Sequence, residues 1–388
     1  MTICKKGINT VCIHTGELQD KEFKGAVSPI YLATAYEFDG VEALRYPRAF
    51  NTPNQEALCK KVAALEHTEA ALLFGSGMAA MSAAFMGLLK AGDHVVVQNT
   101  LYGGAVNFIR VEFPKYNIEY TFTSGYEVKD FEKAIKPNTK LIHIETPSNP
   151  LLTITDIKAV ADLAKAKGIL TMIDNTFASP VNQNPIDFGI DIVMHSATKY
   201  MGGHSDILAG VLAGSEELIN TIKKSAMNYG GNLSDFTVWM LERSMKTMGL
   251  RVKAQNRNAK KLANWLEKQD AIIKVNYPGL KSHPQYELAK AQMKGFGGMM
   301  SFELNRHIDA SKFLNSLKLI KPVGSLAGVD STILLPSKTS HALLTPEQRA
   351  EMGVNDNLIR FSVGIENKRD LIDDFEQALK IARARVTV

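Results

Sequence analysis

A series of short apolar runs, separated by segments with helical spacing, limits what the middle of this chain can fold into. Most runs read as continuous apolar strands rather than as alternating ones, which is typical of a sheet that is covered on both faces. The segments between them have helix-like spacing, with plausible caps at Thr155 and Asp156. The sequence therefore predicts an α/β domain with a mostly parallel sheet. Its predicted strands are 70–74, 94–98, 118–122, 141–145, 170–174, 191–195 and 209–213, and its predicted helices are 54–67, 78–90, 128–135, 156–167 and 216–227.

The rest of the chain has a different pattern, and a length of 388 residues is enough for two or three domains. A long helical stretch, 235–265, leads out of the first domain. The strands and helices that follow predict a smaller α+β domain on an antiparallel sheet. Its predicted strands are 272–276, 299–304, 331–335 and 358–363, and its predicted helices are 309–317, 346–352 and 369–385. We expect an N-terminal arm over 1–53, an α/β domain over 54–245 and an α+β domain over 246–388.

The composition argues against several classes of protein. The net charge of +5, from 45 basic and 40 acidic residues, is small and evenly spread. The sequence has no block of basic residues that would indicate nucleic-acid binding. Cys4, Cys12 and Cys59 are too few and too irregularly spaced for a disulfide framework or a metal cluster. The N-terminus lacks the apolar core of a signal peptide, and no apolar run approaches about 20 residues. We therefore expect a soluble cytoplasmic protein that binds no metal, nucleic acid or membrane.

Two residues at the ends of predicted strands carry the chemistry. Lys199 closely follows the run 191–195, and Asp174 ends the run before it. A lysine amine can condense with an aldehyde, and pyridoxal phosphate, the cofactor that uses this reaction, also needs a carboxylate beside its ring nitrogen and donors around its phosphate. An ionised Asp174 would favour the protonated ring nitrogen, since an opposite charge within a few Å moves a pKa by about 1 to 3 units. The hydroxyls of Ser196 and Thr198 could reach the phosphate.

Alone, such a lysine is more often a surface residue and such an aspartate more often a cap, so the assignment depends on the other parts of the site. The glycine-rich segment Gly75-Ser-Gly77-Met78 follows one strand and opens a helix, where unpaired amides favour a phosphate. A dinucleotide fold is a competing interpretation, because Gly75, Gly77 and Ala80 imitate G-x-G-x-x-A. The next strand, however, lacks the terminal acidic residue of that fold.

Three further residues are candidates for binding the ring or the substrate. Tyr102 follows the second strand and could stack on the cofactor ring while offering a hydroxyl, although aromatic residues are usually core. Asn149 ends the fourth strand at the sheet edge where ligands bind, or is an ordinary turn residue before proline. Arg360 places a guanidinium within an apolar strand, where it matches a substrate carboxylate or forms a structural salt bridge.

Together these residues resemble the Cys/Met metabolism family of pyridoxal-phosphate enzymes, which includes the cystathionine lyases, cystathionine γ-synthase, methionine γ-lyase and the O-acylhomoserine sulfhydrylases. The resemblance runs over nearly the whole chain and is most specific over 191–206, DIVMHSATKYMGGHSD. Supporting segments occur in the family's order: GSGMAAM, LYGG, ETPSNP, IDNTFASP and RFSVGIE. The resemblance implies the fold-type-I architecture of pyridoxal-phosphate-dependent transferases, similar to aspartate aminotransferase, with a large mostly parallel-sheet domain and a smaller C-terminal α+β domain.

The resemblance also assigns roles. Lys199 would bond to the cofactor, Asp174 would contact the ring nitrogen, and Tyr102 would stack on the ring and assist as acid or base. The remaining residues would bind the phosphate, namely Gly77, Met78, Ser196 and Thr198, or the substrate carboxylate, namely Asn149, Ser325 and Arg360. A Tyr-x-Arg element of a neighbouring subunit reaches the same phosphate in the family, and here Tyr46-Pro47-Arg48 stands in its place. The resemblance therefore implies a homo-oligomer, at least a dimer and usually a tetramer, whose N-terminal arms complete shared active sites.

The implied function is a carbon–sulfur lyase of the trans-sulfuration type. It would eliminate a thiol from a sulfur amino acid such as cystathionine, methionine or homocysteine, giving a 2-oxo acid and ammonia. Two alternatives stay open, namely γ-replacement of the cystathionine γ-synthase or O-acylhomoserine sulfhydrylase type, and a cofactor-binding protein without turnover. Three positions depart from the family's specificity patterns: Gly104 replaces the cysteine of methionine γ-lyases, and Asn107 and Asp330 replace the arginine and glutamate of cystathionine γ-lyases.

Overall fold

A seven-stranded sheet forms the centre of the first part of the chain in the computed structural model, which describes residues 6–383 apart from 341, 343 and 344. Its strands are β1 (Ala70–Phe74), β2 (His94–Val97), β3 (Glu119–Phe122), β4 (Thr139–Glu145), β5 (Leu170–Asp174), β6 (Ile192–His195) and β7 (Gly210–Gly214). The strand order is β1-β7-β6-β5-β4-β2-β3. The strands β2 to β6 pair in parallel, and β7 runs antiparallel to β6 and β1. The predicted α/β fold with a mostly parallel sheet is confirmed.

Helices flank this sheet and connect its strands. They are α1 (Ile8–His14), α2 (Pro53–Glu66), α3 (Gly77–Leu88), α4 (Gly103–Glu112), α5 (Val128–Ala134), α6 (Ile157–Ala166), α7 (Ser179–Asn182) and α8 (Glu216–Tyr229). The start of α2 follows from local chemistry, because Thr52 and Gln55 form a capping box with proline at the first helical position. The sequence did not predict α4, whose capping residue Tyr102 makes no side-chain bond and whose first two residues are glycines. Only the buried Ala105, Val106 and Ile109 indicate a helix there.

The predicted long helix over 235–265 is wrong, because two helices occupy it: α9 (Asp235–Met245) and α10 (Met248–Leu266). The break has a physical cause at Ser244, whose carbonyl would otherwise accept from the amide of residue 248. That carbonyl instead accepts from the buried guanidinium of Arg251 at 2.9 Å and from the hydroxyl of Thr247 at 3.2 Å. Side-chain donors that compete for a helix carbonyl interrupt the ladder of backbone bonds.

The second sheet is antiparallel and has four strands, β8 (Ile272–Asn276), β9 (Met299–Leu304), β10 (Thr332–Leu334) and β11 (Leu358–Ser362), in the order β10-β11-β9-β8. The helices of this part are α11 (Tyr286–Gln292), α12 (Ala310–Ser316), α13 (Pro346–Glu351) and α14 (Lys368–Ala382). Phe375 of α14 packs against Phe302, Phe313 and Phe361, with ring centroids 5.0 to 5.9 Å apart. The predicted antiparallel sheet is confirmed, and the predicted domain boundaries near residues 53 and 245 stay predictions.

The segment between α1 and α2 is extended and exposes large apolar side chains. Phe23 is 82% exposed, Phe38 83% and Leu44 68%. Arg45 and Asn51 hold the end of this segment, since the Asn51 side chain donates to the carbonyl of Leu44 at 2.7 Å. Isolated exposed apolar residues are ordinary, but several of them along one segment form an apolar surface of the kind found at interaction sites.

The structure bears on two expectations about the wider class of protein. None of the helices described is long and apolar enough to cross a membrane. Cys12 is buried and Cys59 half-buried, both as free thiols, and Cys4 lies outside the described residues, as does the end of the predicted helix 369–385. Over the same described range, no cluster of histidine, cysteine, aspartate or glutamate side chains is arranged to hold a metal ion.

We predict that Gly210→Ala destabilises the protein, because β7 packs directly against the turn that opens α3. A Cβ atom at Gly210 would lie 2.0 Å from the backbone oxygen of Ser76. Such overpacking typically costs about 1–3 kcal/mol in the free energy of unfolding. Gly75→Ala in the same turn is the matched control, since its nearest contact would be an ordinary 3.7 Å. Denaturant unfolding followed by circular dichroism measures both, and equal effects would contradict the prediction.

Candidate active site

A cavity of about 790 Å³ lies at the edge of the large sheet where β4, β5 and β6 end, and β11 of the second sheet reaches it. This edge is where open α/β sheets bind ligands. Most of the site residues predicted from the sequence line the cavity: Gly77, Met78, Tyr102, Asn149, Asp174, Ser196, Thr198, Lys199 and Arg360. The fold thus brings together residues that are up to 283 positions apart in the sequence, from Gly77 to Arg360.

Lys199 extends from a rigid turn that follows β6. The Ser196 amide donates to the hydroxyl of Thr176 at 2.8 Å, and the Lys199 amide donates to the Ser196 carbonyl at 3.1 Å. The Thr198 hydroxyl donates to the Ala209 carbonyl at 3.1 Å and accepts from the Ala209 amide at 3.0 Å, so its one proton is already in use. Burial lowers the pKa of the Lys199 amine, and the positive charge of Arg360 lowers it further.

Asp174 ends β5 as a buried carboxylate, and the Thr176 amide donates to its Oδ1 at 2.9 Å. Burial raises the pKa of Asp174, and its hydrogen bonds with Thr176 partly offset this. No ion pair to Asp174 is formed by any cation that the structure describes. A protonated ring nitrogen placed here would supply the missing positive charge and favour the ionised carboxylate.

The start of α3 lines the same cavity as this carboxylate and has the features of a helix terminus that could bind an anion. The Ser76 hydroxyl accepts from the Ala79 amide at 3.0 Å and the Ser76 carbonyl accepts from the Ala80 amide at 3.1 Å. The backbone amides of Gly77 and Met78 have no hydrogen-bond acceptor among the described residues, so both are available to an anion. A Cβ at Gly77 would lie 2.8 Å from the Cβ of Ser196, so only glycine lets the two elements meet. These donors and the carboxylate of Asp174 fit pyridoxal phosphate.

Glu145 is a site residue that sequence reasoning missed. It is buried at the end of β4, where it is the register partner of Asp174. Its two oxygens accept from the amides of Tyr102 and Asn149, each at 2.8 Å. Burial and the neighbouring charge of Asp174 raise the pKa of Glu145 well above its usual value. Its position in the sequence could have identified it, because Glu145 ends its predicted strand just as Asp174 ends the next predicted strand along the chain.

Arg360 lies on β11 with its side chain in the cavity, and its Nη1 donates to the Oδ1 of Asn149 at 3.3 Å. Burial lowers the pKa of the guanidinium to about 10. It forms no ion pair with a carboxylate in the described part of the chain, which argues against a purely structural salt bridge. A buried guanidinium with one weak partner has capacity for a ligand carboxylate.

Three predicted site residues do not line the cavity of their own chain. Ser325 lies between two lining residues, and its carbonyl accepts from the hydroxyl of Thr332 at 3.2 Å. The Arg48 guanidinium donates to the Met227 carbonyl at 2.9 Å and lies over the ring of Tyr46, 5.4 Å from its centroid. Tyr46 and Arg48 are therefore outside the cavity that Lys199 lines within one chain.

The three specificity positions differ in their relation to the cavity. A Cβ at Gly104 would lie 2.4 Å from the ring of Tyr102, so a side chain there would force that ring to move. Asn107 lies on α4 and lines the cavity mouth. Asp330 instead forms an exposed ion pair with Lys321 away from the lining residues. The helix α4, which the sequence did not predict, therefore forms part of the mouth.

We predict that the Lys199 amine stays nucleophilic to a lower pH than an ordinary lysine amine, because its pKa is lowered. In the cofactor-free protein, labelling of Lys199 by a small amine-selective reagent should persist at pH values where labelling of the side chain of free Nα-acetyl-lysine has stopped. Arg360→Gln removes a positive charge and should move the labelling midpoint of Lys199 to higher pH. Arg369→Gln, in an exposed pair with Asp373, is the control. Peptide mass mapping gives the result, and a pH profile for Lys199 identical to that of free Nα-acetyl-lysine would refute the prediction.

Comparison with known proteins agrees with this geometry. A family model described as Cys/Met metabolism PLP-dependent enzyme matches residues 9–380. The chain is 44% identical over 379 residues to a cystathionine gamma-lyase of Bacillus subtilis strain 168, covering 96% of this chain and 98% of the relative. It is 42% identical over 378 residues to a cystathionine beta-lyase of Lactococcus lactis subsp. cremoris strain MG1363, covering 96% and 99%.

A solved structure shows the same likeness at the level of the fold. The crystal structure of a cystathionine gamma-lyase from Lactobacillus plantarum, complexed with L-serine, superposes with a TM-score of 0.94 at 37% sequence identity. The match covers 97% of this chain and 99% of that one. This chain therefore belongs to the Cys/Met metabolism family of pyridoxal-phosphate-dependent enzymes.

Proposed function

We propose that this protein is a carbon–sulfur lyase of the trans-sulfuration type, which eliminates a thiol from a sulfur amino acid and releases a 2-oxo acid and ammonia. One observation carries the proposal: a single cavity holds Lys199 with a lowered pKa, the buried carboxylate of Asp174 and the buried guanidinium of Arg360. These groups match an amine nucleophile, a partner for a cationic ring and a receptor for a substrate carboxylate.

The chain's own residues would divide the work as follows. Pyridoxal phosphate, when bound, supplies an aldehyde that bonds to amines and a ring that accepts electrons from the carbon next to the amine. Asp174 would hold a proton on the ring nitrogen, and the free amides of Gly77 and Met78 would bind the phosphate with the hydroxyl of Ser196. Arg360 and Asn149 would orient the substrate carboxylate. Lys199, when free, would move protons at its Nζ, which its lowered pKa favours near neutral pH.

Tyr102 and Glu145 would organise the other side of the cavity. The ring of Tyr102 is 44% exposed and lines the cavity, so it is available to stack on the cofactor ring and to act as acid or base. Glu145 would fix this tyrosine and Asn149 together, because its two oxygens bind both backbone amides. The tyrosine and the carboxylate receptor would thereby keep a constant separation.

Which bond breaks stays open between β-elimination and γ-elimination. The relatives named above act on opposite sides of the sulfur, as their names state, yet they resemble this chain almost equally, at 44% and 42% identity. Overall identity therefore does not separate the two reactions, nor does the shared fold. Replacement at the γ-carbon, as in cystathionine γ-synthase, stays the alternative hypothesis, and a cofactor-binding protein without turnover stays the remote one.

We also propose that the protein is a homo-oligomer, a dimer at least and a tetramer in its full form, with active sites shared between chains. The apolar segment between α1 and α2 supports this, because Phe23, Phe38 and Leu44 expose apolar surface that a second copy would cover. The separation of Tyr46 and Arg48 from the cavity of their own chain supports a role in a neighbour's cavity. A cytoplasmic location, expected from the sequence, stays a prediction.

A substrate panel tests the proposed reaction. We expect the holoenzyme to release thiol, 2-oxo acid and ammonia from at least one of cystathionine, methionine, homocysteine and cysteine, with the identity of the thiol separating β-elimination from γ-elimination. Lys199→Ala should lower the rate by about 10²- to 10⁴-fold or more, because the group that moves protons is lost. Incorporation of added thiol into an activated homoserine without release of 2-oxo acid would favour replacement. A holoenzyme inert in every assay would overturn the proposal.

Mixing two inactive variants tests the shared site. We expect Arg48→Ala to weaken cofactor retention and Lys199→Ala to block catalysis. In a shared site, Lys199 comes from one chain and Arg48 from the neighbouring chain. Random reassembly of the two should restore about a quarter of the wild-type activity in a dimeric unit, since some mixed sites receive both native residues. Lys199→Ala mixed with Asp174→Ala is the control without recovery, because both residues line one chain's cavity. No recovery with Arg48→Ala would contradict shared sites.

A further inference from the structure

Arg110 is a second arginine in the cavity, and the reaction described above gives it no role. It is exposed, lies in the last turn of α4 and lines the same cavity as Lys199 and Arg360. Its guanidinium lies over the ring of Phe122, with the Cζ atom 5.3 Å from the centroid. Glu112 on the same helix pairs with Lys115 instead.

Among the residues that the structure describes, Arg110 has no carboxylate counterion. The cationic side chains among the described lining residues are Arg110, Lys199 and Arg360. Under the proposed function Lys199 bonds to the cofactor and Arg360 binds the substrate's α-carboxylate. A substrate with a single carboxylate would satisfy Arg360 and leave Arg110 unpaired.

The placement of Arg110 suits the far end of an extended substrate. The helix α4 starts beside Tyr102, which Glu145 ties to Asn149, the partner of Arg360. Arg110 lies seven residues beyond Gly103, about 10 Å along the helix axis. The cavity that holds both arginines is also lined by apolar side chains that suit the methylene and thioether groups of a substrate, namely Val106, Leu326 and Leu334. The contact with the ring of Phe122 restrains the guanidinium, and a guanidinium fork matches a carboxylate in two-point fashion.

We propose that Arg110 binds the distal carboxylate of the substrate, so that the substrate is a thioether with a carboxylate at each end rather than methionine or homocysteine. This inference rests on the proposed lyase function and names its substrate class. Arg110 is a specificity residue, because it contacts the part of the substrate that is remote from the reacting bond.

Calorimetric titration of the holoenzyme with two unreactive ligands tests this directly. One is the analogue of cystathionine that lacks both amino groups and keeps the thioether and both carboxylates. The other is the des-amino analogue of methionine, which keeps the thioether and one carboxylate. We expect Arg110→Gln to weaken binding of the first by about 10-fold or more, as for a lost hydrogen-bonded charge pair. Binding of the second should change by less than about twofold, since it does not reach Arg110.

Two further variants make the result specific. Lys115→Gln removes the same charge from the next turn, where Lys115 pairs with Glu112 outside the cavity, and should leave both dissociation constants unchanged. Arg110→Lys keeps the charge without the two-point fork and should fall between wild type and Arg110→Gln. Equal losses for both ligands in Arg110→Gln, no loss for either, or the same loss in Lys115→Gln would overturn the inference.

Binding and turnover measurements distinguish a failure of the Arg110 assignment from a failure of the lyase proposal. In the matching kinetics, Arg110→Gln should raise KM for cystathionine by a similar factor and leave kcat nearly unchanged, because the contact is the same before and during the reaction. A wild-type enzyme that binds the two-carboxylate ligand through Arg110 but releases no 2-oxo acid would refute the lyase proposal and support the assignment of Arg110. A wild-type enzyme that releases 2-oxo acid but binds both ligands equally well would refute the assignment of Arg110 and support the lyase proposal.

Discussion

Two carboxyl groups buried side by side constrain everything else at this site. Glu145 and Asp174 end neighbouring parallel strands in register, and burial raises the pKa of both. Buried carboxylates of like charge are costly unless cations or donors compensate them. Glu145 obtains two backbone amides, whereas Asp174 obtains its bonds with Thr176 and no ion pair from the described residues. The cavity is therefore suited to a ligand that brings a positive charge to Asp174.

Parts of this arrangement follow from the sequence because they depend on local rules. Runs such as Ala70–Phe74 are continuously apolar because helices cover both faces of their sheet, and this pattern predicted the mostly parallel architecture. Parallel strands end at a common edge, so residues at or just after strand ends, such as Asp174 and Lys199, could be expected to meet there. The turn at Gly77 was also accessible, because glycine at a helix start beside a strand indicates close approach of an anion.

The features that were missed depend on contacts between distant parts of the chain. The helix α4 begins at Tyr102 without a side-chain cap and with two glycines, and its helical form follows from packing rather than propensity. The break between α9 and α10 comes from the guanidinium of Arg251, which reaches back to Ser244 from within α10. The role of Glu145 became visible only when β4 was paired with β5, because a glutamate at the end of a strand has many uses.

The single hydrogen bond between Arg360 and Asn149 joins the two sheets across the cavity, from β11 to the end of β4. A small molecule that binds both residues would add noncovalent contacts between the part of the chain with the antiparallel sheet and the part with the mostly parallel sheet. Occupancy of the cavity should then be reported by the heat resistance of the whole chain, since a ligand that binds only the folded form adds RT ln(1 + [L]/Kd) to its stability. The melting temperature of the enzyme should then depend on the concentration of its ligands as well as on its own packing.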